Sequence, residues 1–166
     1  MSVKINGKAK NIIFMVFISI SFIVIFLTLA VAARQRTLYL TDYRTYITAS
    51  QLVSQDKYAE AKPLLQKLEQ RHSGSYQIAW LYGLCLAGEG NYPEGAEYLK
   101  KAGDLRPALL MNQNYLVQYG EILYHLGNFN SAKRYLEESG KYGPGEKAAQ
   151  LFQKMATTNT SNGETK

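Results

Sequence analysis

The stretch "GNYPEGAEYL", residues 90–99, returns 37 residues later as "GNFNSAKRYL", residues 127–136. It has a forerunner 34 residues earlier, "DKYAEAKPLL", residues 56–65. Carried outward, the same two offsets bring Ala49, Gly83 and Gly120 into register, then Leu52, Leu86 and Leu123. Tyr58, Tyr92 and Phe129 align, as do Ala61, Gly95 and Ala132, and then Leu65, Leu99 and Leu136. Pro107 and Pro144 close the second and third copies. A period of this size marks stacked units, none of which can bury its own apolar face alone.

Each copy reads as two helices. In "YQIAWLYGLCLAGEG", Ala79, Tyr82, Gly83 and Leu86 fall at three- and four-residue spacing, one side of a helix. Gly90-Asn91 breaks that helix. Pro93 then falls in the first turn of the next, where a missing N–H costs nothing, and Glu94 and Glu97 favour its positive end. The small residues stand where paired helices cross, because a larger side chain would hold the backbones apart. Tyr92 and Phe129 fill the gap to a neighbouring copy.

A 34-residue helix–turn–helix with these small, aromatic and alanine positions resembles the tetratricopeptide repeat (TPR) family over about residues 42–144. The resemblance implies an all-α TPR solenoid with repeats at about 42–75, 76–109 and 110–144. Four features depart from the pattern, one being His72-Ser73, which stand where later copies have "RP" and "GP". Trp80 lies one residue nearer the small position than the family's tryptophan. Pro63 is expected to delay or kink the second helix of the first copy. The three residues added between copies two and three are expected to extend the helix "LLMNQNYLVQYGEILYHL".

Beyond the repeats, "GEKAAQLFQKMATT" predicts a C-terminal capping helix over 145–157, with Ala148, Ala149, Leu151, Phe152 and Met155 inward and Lys147, Gln150 and Lys154 toward water. Residues 158–166 hold nothing to bury and are expected to be a disordered tail. At the other end, residues 11–33 carry no charge and as a helix would be roughly 35 Å long, enough to cross a bilayer core of about 30 Å. A single transmembrane helix at 11–33 is therefore expected, between a basic tail at 1–10 and a linker at 34–41. The rival is a cleaved signal peptide, for which "AVAA" at 30–33 has suitable small residues, but the apolar run exceeds the usual length of such a core. No cysteine stands near its end for lipidation.

The net charge of +6 does not point to nucleic acid. Lys4, Lys8 and Lys10 supply three of those charges, and the remaining acidic and basic residues are well mixed. Cys85 is the single cysteine and forms no intrachain disulfide. His72 and His125 lack partners at metal-ligand spacing, and the glycines form no strand–loop–helix phosphate cradle. Cys85 reads as a buried thiol, and Glu137-Glu138 as an exposed patch. No catalytic residue, metal ligand or cofactor site is expected, and no enzyme or small-molecule substrate.

Binding is the expectation that remains. The TPR resemblance assigns groove positions to Tyr43, Tyr46, Ser50 and Val53 in copy one. Copy two offers Gln77, Trp80, Leu84 and Ala87, and copy three Asn114, Val117, Glu121 and Tyr124. Of these, Tyr43, Tyr46, Gln77, Trp80, Leu84, Val117, Glu121 and Tyr124 are the expected partner-binding residues, with Tyr46 and Tyr124 flanking Trp80. Such a groove has one acid and no lysine or arginine, unlike TPR domains that clamp acidic chaperone tails. It suits an apolar peptide or amphipathic helix of a protein partner. The alternative for these aromatics is packing against adjacent repeats or the capping helix.

The chain thus reads as a membrane-anchored adaptor or assembly factor. The alternatives are a self-associating structural subunit and a cytosol-facing receptor. Flanking charges are balanced, with Lys4, Lys8 and Lys10 before the span and Arg34, Arg36 and Arg44 after it. The short basic N-terminus favours repeats outside the cytoplasm, at a bacterial cell membrane.

Overall fold

The computed structural model describes residues 7–143 and 145–161. Among them the fold is all-α, with seven helices and no strand. They are α1 (Gly7–Ser54), α2 (Tyr58–Arg71), α3 (Tyr76–Gly88), α4 (Tyr92–Leu105), α5 (Gln113–His125), α6 (Phe129–Ser139) and α7 (Glu146–Ser161). The chain divides into two units, residues 1–44 and 45–166.

The first unit is helical wherever it is described, including the stretch 34–41 read as a linker. By length and composition α1 is long and apolar enough to cross a membrane. Its hydroxyls bond back to the helix, Ser19 to the Met15 carbonyl at 2.9 Å and Thr28 to that of Ile25 at 2.8 Å, so they add little polarity to the run. Lys4 of the basic tail and residues 162–166 of the expected disordered tail lie outside the described residues, as does Pro144.

The second unit holds the three helix pairs, and the repeat register can be read in its turns. Asp56, Gly90 and Gly127 occupy equivalent positions and have φ of 57°, 88° and 73°. After each, the next N–H bonds back to the repeat's conserved-register leucine: Lys57 to Leu52, Asn91 to Leu86 and Asn128 to Leu123, all at 2.9 Å. These six-to-one bonds end each first helix by satisfying a carbonyl it would leave open. The left-handed turn then starts the second helix, and glycine enters it without the Cβ clash that other residues meet.

The helix pairs cross at their small residues. Ala49 and Ala61 are fully buried in the first. In the second, a Cβ built on Gly83 would lie 2.9 Å from the Gly95 carbonyl oxygen. In the third, one built on Gly120 would lie 3.3 Å from the Ala132 carbonyl oxygen and 2.9 Å from Leu136 Cγ.

Two apolar clusters form around these crossings. One joins Ala49, Val53, Ala61, Leu65 and Leu68 to Ile78, Tyr82, Cys85 and Leu86 of α3. The other joins Ala79 and Ala87 of α3 to Leu99, Tyr115, Leu116, Leu123, Leu136 and the α7 residues Ala148, Leu151 and Met155. This explains why α3 is apolar on nearly every side, as a helix enclosed by neighbours should be. Ion pairs strap α2 to the second repeat at the surface, Lys62 with Glu89 and Lys101 with Glu69, each at 2.5 Å.

Three local expectations are corrected. Pro63 does not delay α2, which begins at Tyr58 and contains it; its missing N–H forfeits a bond to the Ala59 carbonyl, which its ring also crowds. The residues added between copies two and three do not lengthen α5. They form a separate 3-10 helix, Pro107–Met111. Asn112 then caps α5, its side-chain oxygen accepting from the Tyr115 N–H at 3.0 Å. An asparagine so placed satisfies an open N–H and starts a new helix. The expected capping helix is present as α7 with Ala148, Leu151 and Met155 buried, but Ala149 is exposed and the helix runs on to Ser161, into the stretch expected to be disordered.

Candidate functional site

An open groove of about 560 Å³ lies along the first helices of the three repeats. The final turns of α1 contribute Tyr46, Ser50 and Val53, and α3 contributes Gln77, Trp80 and Leu84. From α5 come Asn114, Gln118 and Glu121, and from α7 Lys147. The groove therefore gathers Tyr46, Gln77, Trp80, Leu84 and Glu121 of the expected set. Its lining residues recur at three- and four-residue steps on each helix, which is why they share a face.

Trp80 is the half-buried centre of this surface. Its ring edge meets Tyr115 with centroids 5.6 Å apart and planes at 83°. Its Nε1–H donates to Gln118 Oε1 at 2.8 Å, so α3 and α5 are joined across the groove floor. A buried indole N–H requires such a partner. Trp80 also packs on the second apolar cluster, so it belongs to the groove and supports the core at once.

The other expected residues are placed elsewhere. Val117 is only 7% exposed and lies in the cluster that contains Ala148 and Leu151, so α7 covers the side of α5 where a groove position was expected. Gln118, the next residue, takes its place. Tyr124 does not flank Trp80; its ring packs on Phe129 at 5.6 Å and on His125 at 5.5 Å. Tyr43 belongs to the first unit and is exposed. Ala87 is buried in the second cluster.

The groove also carries a cation that the first helices do not supply. Lys147 Nζ sits 2.7 Å from Glu121 Oε2. The expected surface without lysine is thus corrected: the capping helix brings one and pairs it with Glu121. At the other end, Tyr58 Oη–H donates to Asp56 Oδ1 at 2.6 Å. Burial, then that bond and the carboxylate charge, push the Tyr58 phenol up to about 12. The groove is amphipathic, with aromatic and amide side chains around one ion pair.

Cys85 is fully buried, and burial pushes its thiol up to about 12, away from the thiolate that a nucleophile needs. His125 lies in the last turn of α5, stacked on Tyr92 at 4.5 Å and 11°. Among the described residues no group of three or more His, Cys, Asp or Glu is placed to hold a metal ion.

Residues 48–109 match the family model described as Tetratricopeptide repeat, and the helix pairs that contain them have the fold of a TPR solenoid. No curated protein matches the sequence. Among solved structures, the Sgt2 TPR domain from Aspergillus fumigatus aligns with a TM-score of 0.60 at 12% identity, over 75% of this chain and 83% of that one. MamA from Desulfovibrio magneticus RS-1 aligns with a TM-score of 0.52 at 20% identity, over 59% of this chain and 54% of that one. The Yersinia enterocolitica type III secretion chaperone SycD, solved with a peptide of the translocator YopD, aligns with a TM-score of 0.52 at 16% identity, over 72% and 86%. At these identities the likeness is one of fold.

Proposed function

We propose that the protein is a membrane-anchored adaptor whose repeat groove holds a peptide or amphipathic helix of a protein partner. The observation that carries this reading is the groove itself. It is open and lined by aromatic rings and amides, and its two acids are engaged, Glu121 with Lys147 and Asp56 with the Tyr58 hydroxyl. Aromatic faces bind apolar side chains, while Gln77, Asn114 and Gln118 can exchange hydrogen bonds with a peptide backbone. The peptide in the SycD structure supports the same use of the fold. No lysine or arginine cluster lines the groove for an acidic tail.

Residues 11–33 supply the anchor in this reading, and the repeats lie outside the cytoplasm of a bacterial cell. Alkaline phosphatase fused after Lys166 tests the orientation: an active fusion is expected, and a well-expressed inactive one reverses it. The binding role is tested by crosslinking the full chain in membranes through a photoreactive residue at Gln77. Adducts with one other protein are expected. Adducts only with itself would favour a self-associating subunit, and none would overturn the groove as a binding site.

A further inference from the structure

The exposed residues just beyond the uncharged run form a surface of their own, and the inference from them rests on residues 11–33 being the anchor. Leu38 is 50% exposed, Tyr39 67%, Leu40 46% and Tyr43 55%. Positions i, i+3, i+4 and i+7 share one side of a helix, so Arg36, Tyr39, Leu40 and Tyr43 stand in a single stripe on α1. Residues 34–44 carry three arginines and one acid, Asp42.

The distances place the start of the stripe, Arg36 and Tyr39, at a bilayer surface. Arg36 follows Ala33 by about 4.5 Å along a helix axis and Tyr43 by about 15 Å. The headgroup zone outside the hydrocarbon is about 5–8 Å deep on each side. Helical side chains lean toward the N-terminus, so Arg36 and Tyr39 reach back toward that zone. A tyrosine ring with a polar tip favours the interface, and a guanidinium matches a phosphate with paired hydrogen bonds. A second copy fits this stripe poorly. Sharing one orientation in the membrane, two copies would set Arg36 against Arg36.

We propose that Arg36 and Tyr39 bind the phosphate-bearing surface of an anionic bilayer and fix the depth of the anchor. The test uses the full chain in mixed micelles with phosphatidylglycerol or phosphatidylcholine, counting retained lipids by native mass spectrometry. The wild type should retain phosphatidylglycerol preferentially. Arg36→Gln should lower that preference about fivefold, equivalent to ~1 kcal/mol for one basic residue near a charged surface. Tyr39→Ser should lower retention of both lipids, while Lys67→Gln on α2 should change nothing. Equal retention by wild type and Arg36→Gln overturns the proposal, and so does a dimer that the stripe variants abolish. A carbonate wash of chain-bearing vesicles separates the two levels. A chain that washes off defeats the anchor and this inference with it. A chain that stays embedded without lipid preference defeats the stripe alone.

Discussion

Gly83 on α3 and Gly95 on α4 oppose each other so closely that a Cβ on either would stand 2.9 Å from the other's carbonyl oxygen. Backbone cannot yield there without parting the helix pair. Alanine would gain about 1 kcal/mol of helix propensity at either site. Overpacking against backbone outweighs that gain, so Gly83→Ala and Gly95→Ala should each lower stability by about 1–3 kcal/mol in net. Urea melts of the two variants check this, and unchanged midpoints in both would refute the crossing.

The left-handed turns give a second contrast. Gly127 has φ of 73° with nothing within 4 Å of a Cβ, so any cost there is purely conformational. Gly127→Ala should destabilise by about 1–2 kcal/mol. Gly74 has equally open space and no such φ, and Gly74→Ala should be close to neutral. Equal melting temperatures for the two variants would contradict the turn assignment.

Tyr119 gives a pH dependence. Burial, then the charges of Tyr135 and Asp104, push its phenol from 10 up to about 12. Below pH 10 both folded and unfolded chains keep the proton. Between these values the unfolded chain releases it and the folded chain does not, so stability falls as pH rises through that window. Tyr119→Phe should make the fall in melting temperature between pH 9 and pH 12 shallower. An identical slope in the variant would show that Tyr119 ionises freely in the fold.

Trp80 separates packing from recognition. Trp80→Phe keeps an aromatic face near Tyr115 but loses the hydrogen bond to Gln118, which then has an unmatched acceptor. It should cost about 1 kcal/mol of stability. Trp80→Ala should cost more, about 3 kcal/mol, because the ring also packs on the core. Parallel thermal melts decide the order, and a Phe variant as damaged as the Ala variant would place the weight on the hydrogen bond.

Much of this architecture was legible because the repeat constrains it three times over. The small residues at the crossings and the leucines that receive the six-to-one bonds all lie where the two offsets put them. The groove was legible only as far as it depends on single helices. Tyr46, Gln77, Trp80, Leu84 and Glu121 share it because of their steps along α1, α3 and α5. Val117 and Lys147 could not be placed that way. Val117 is covered and Lys147 is brought in by the same event, the packing of α7 beside α5, and the capping helix has no counterpart in the repeats from which to copy a register. The 3-10 helix was missed for a related reason: Pro107 and Asn112 stop and restart the backbone within a run whose apolar residues suggested continuity.

The double membership of α3 sets how the repeats come apart. Ile78, Tyr82, Cys85 and Leu86 complete one cluster while Ala79 and Ala87 complete the other. Loss of α2 would leave the first group facing water on a helix that the second repeat still needs. The free energy of that exposure ties neighbouring repeats into one cooperative transition, as nearest-neighbour coupling does in repeat arrays. A force or protease that opens the first repeat therefore acts on the groove as a whole, because α3 carries Trp80 as well as the seam between the two clusters.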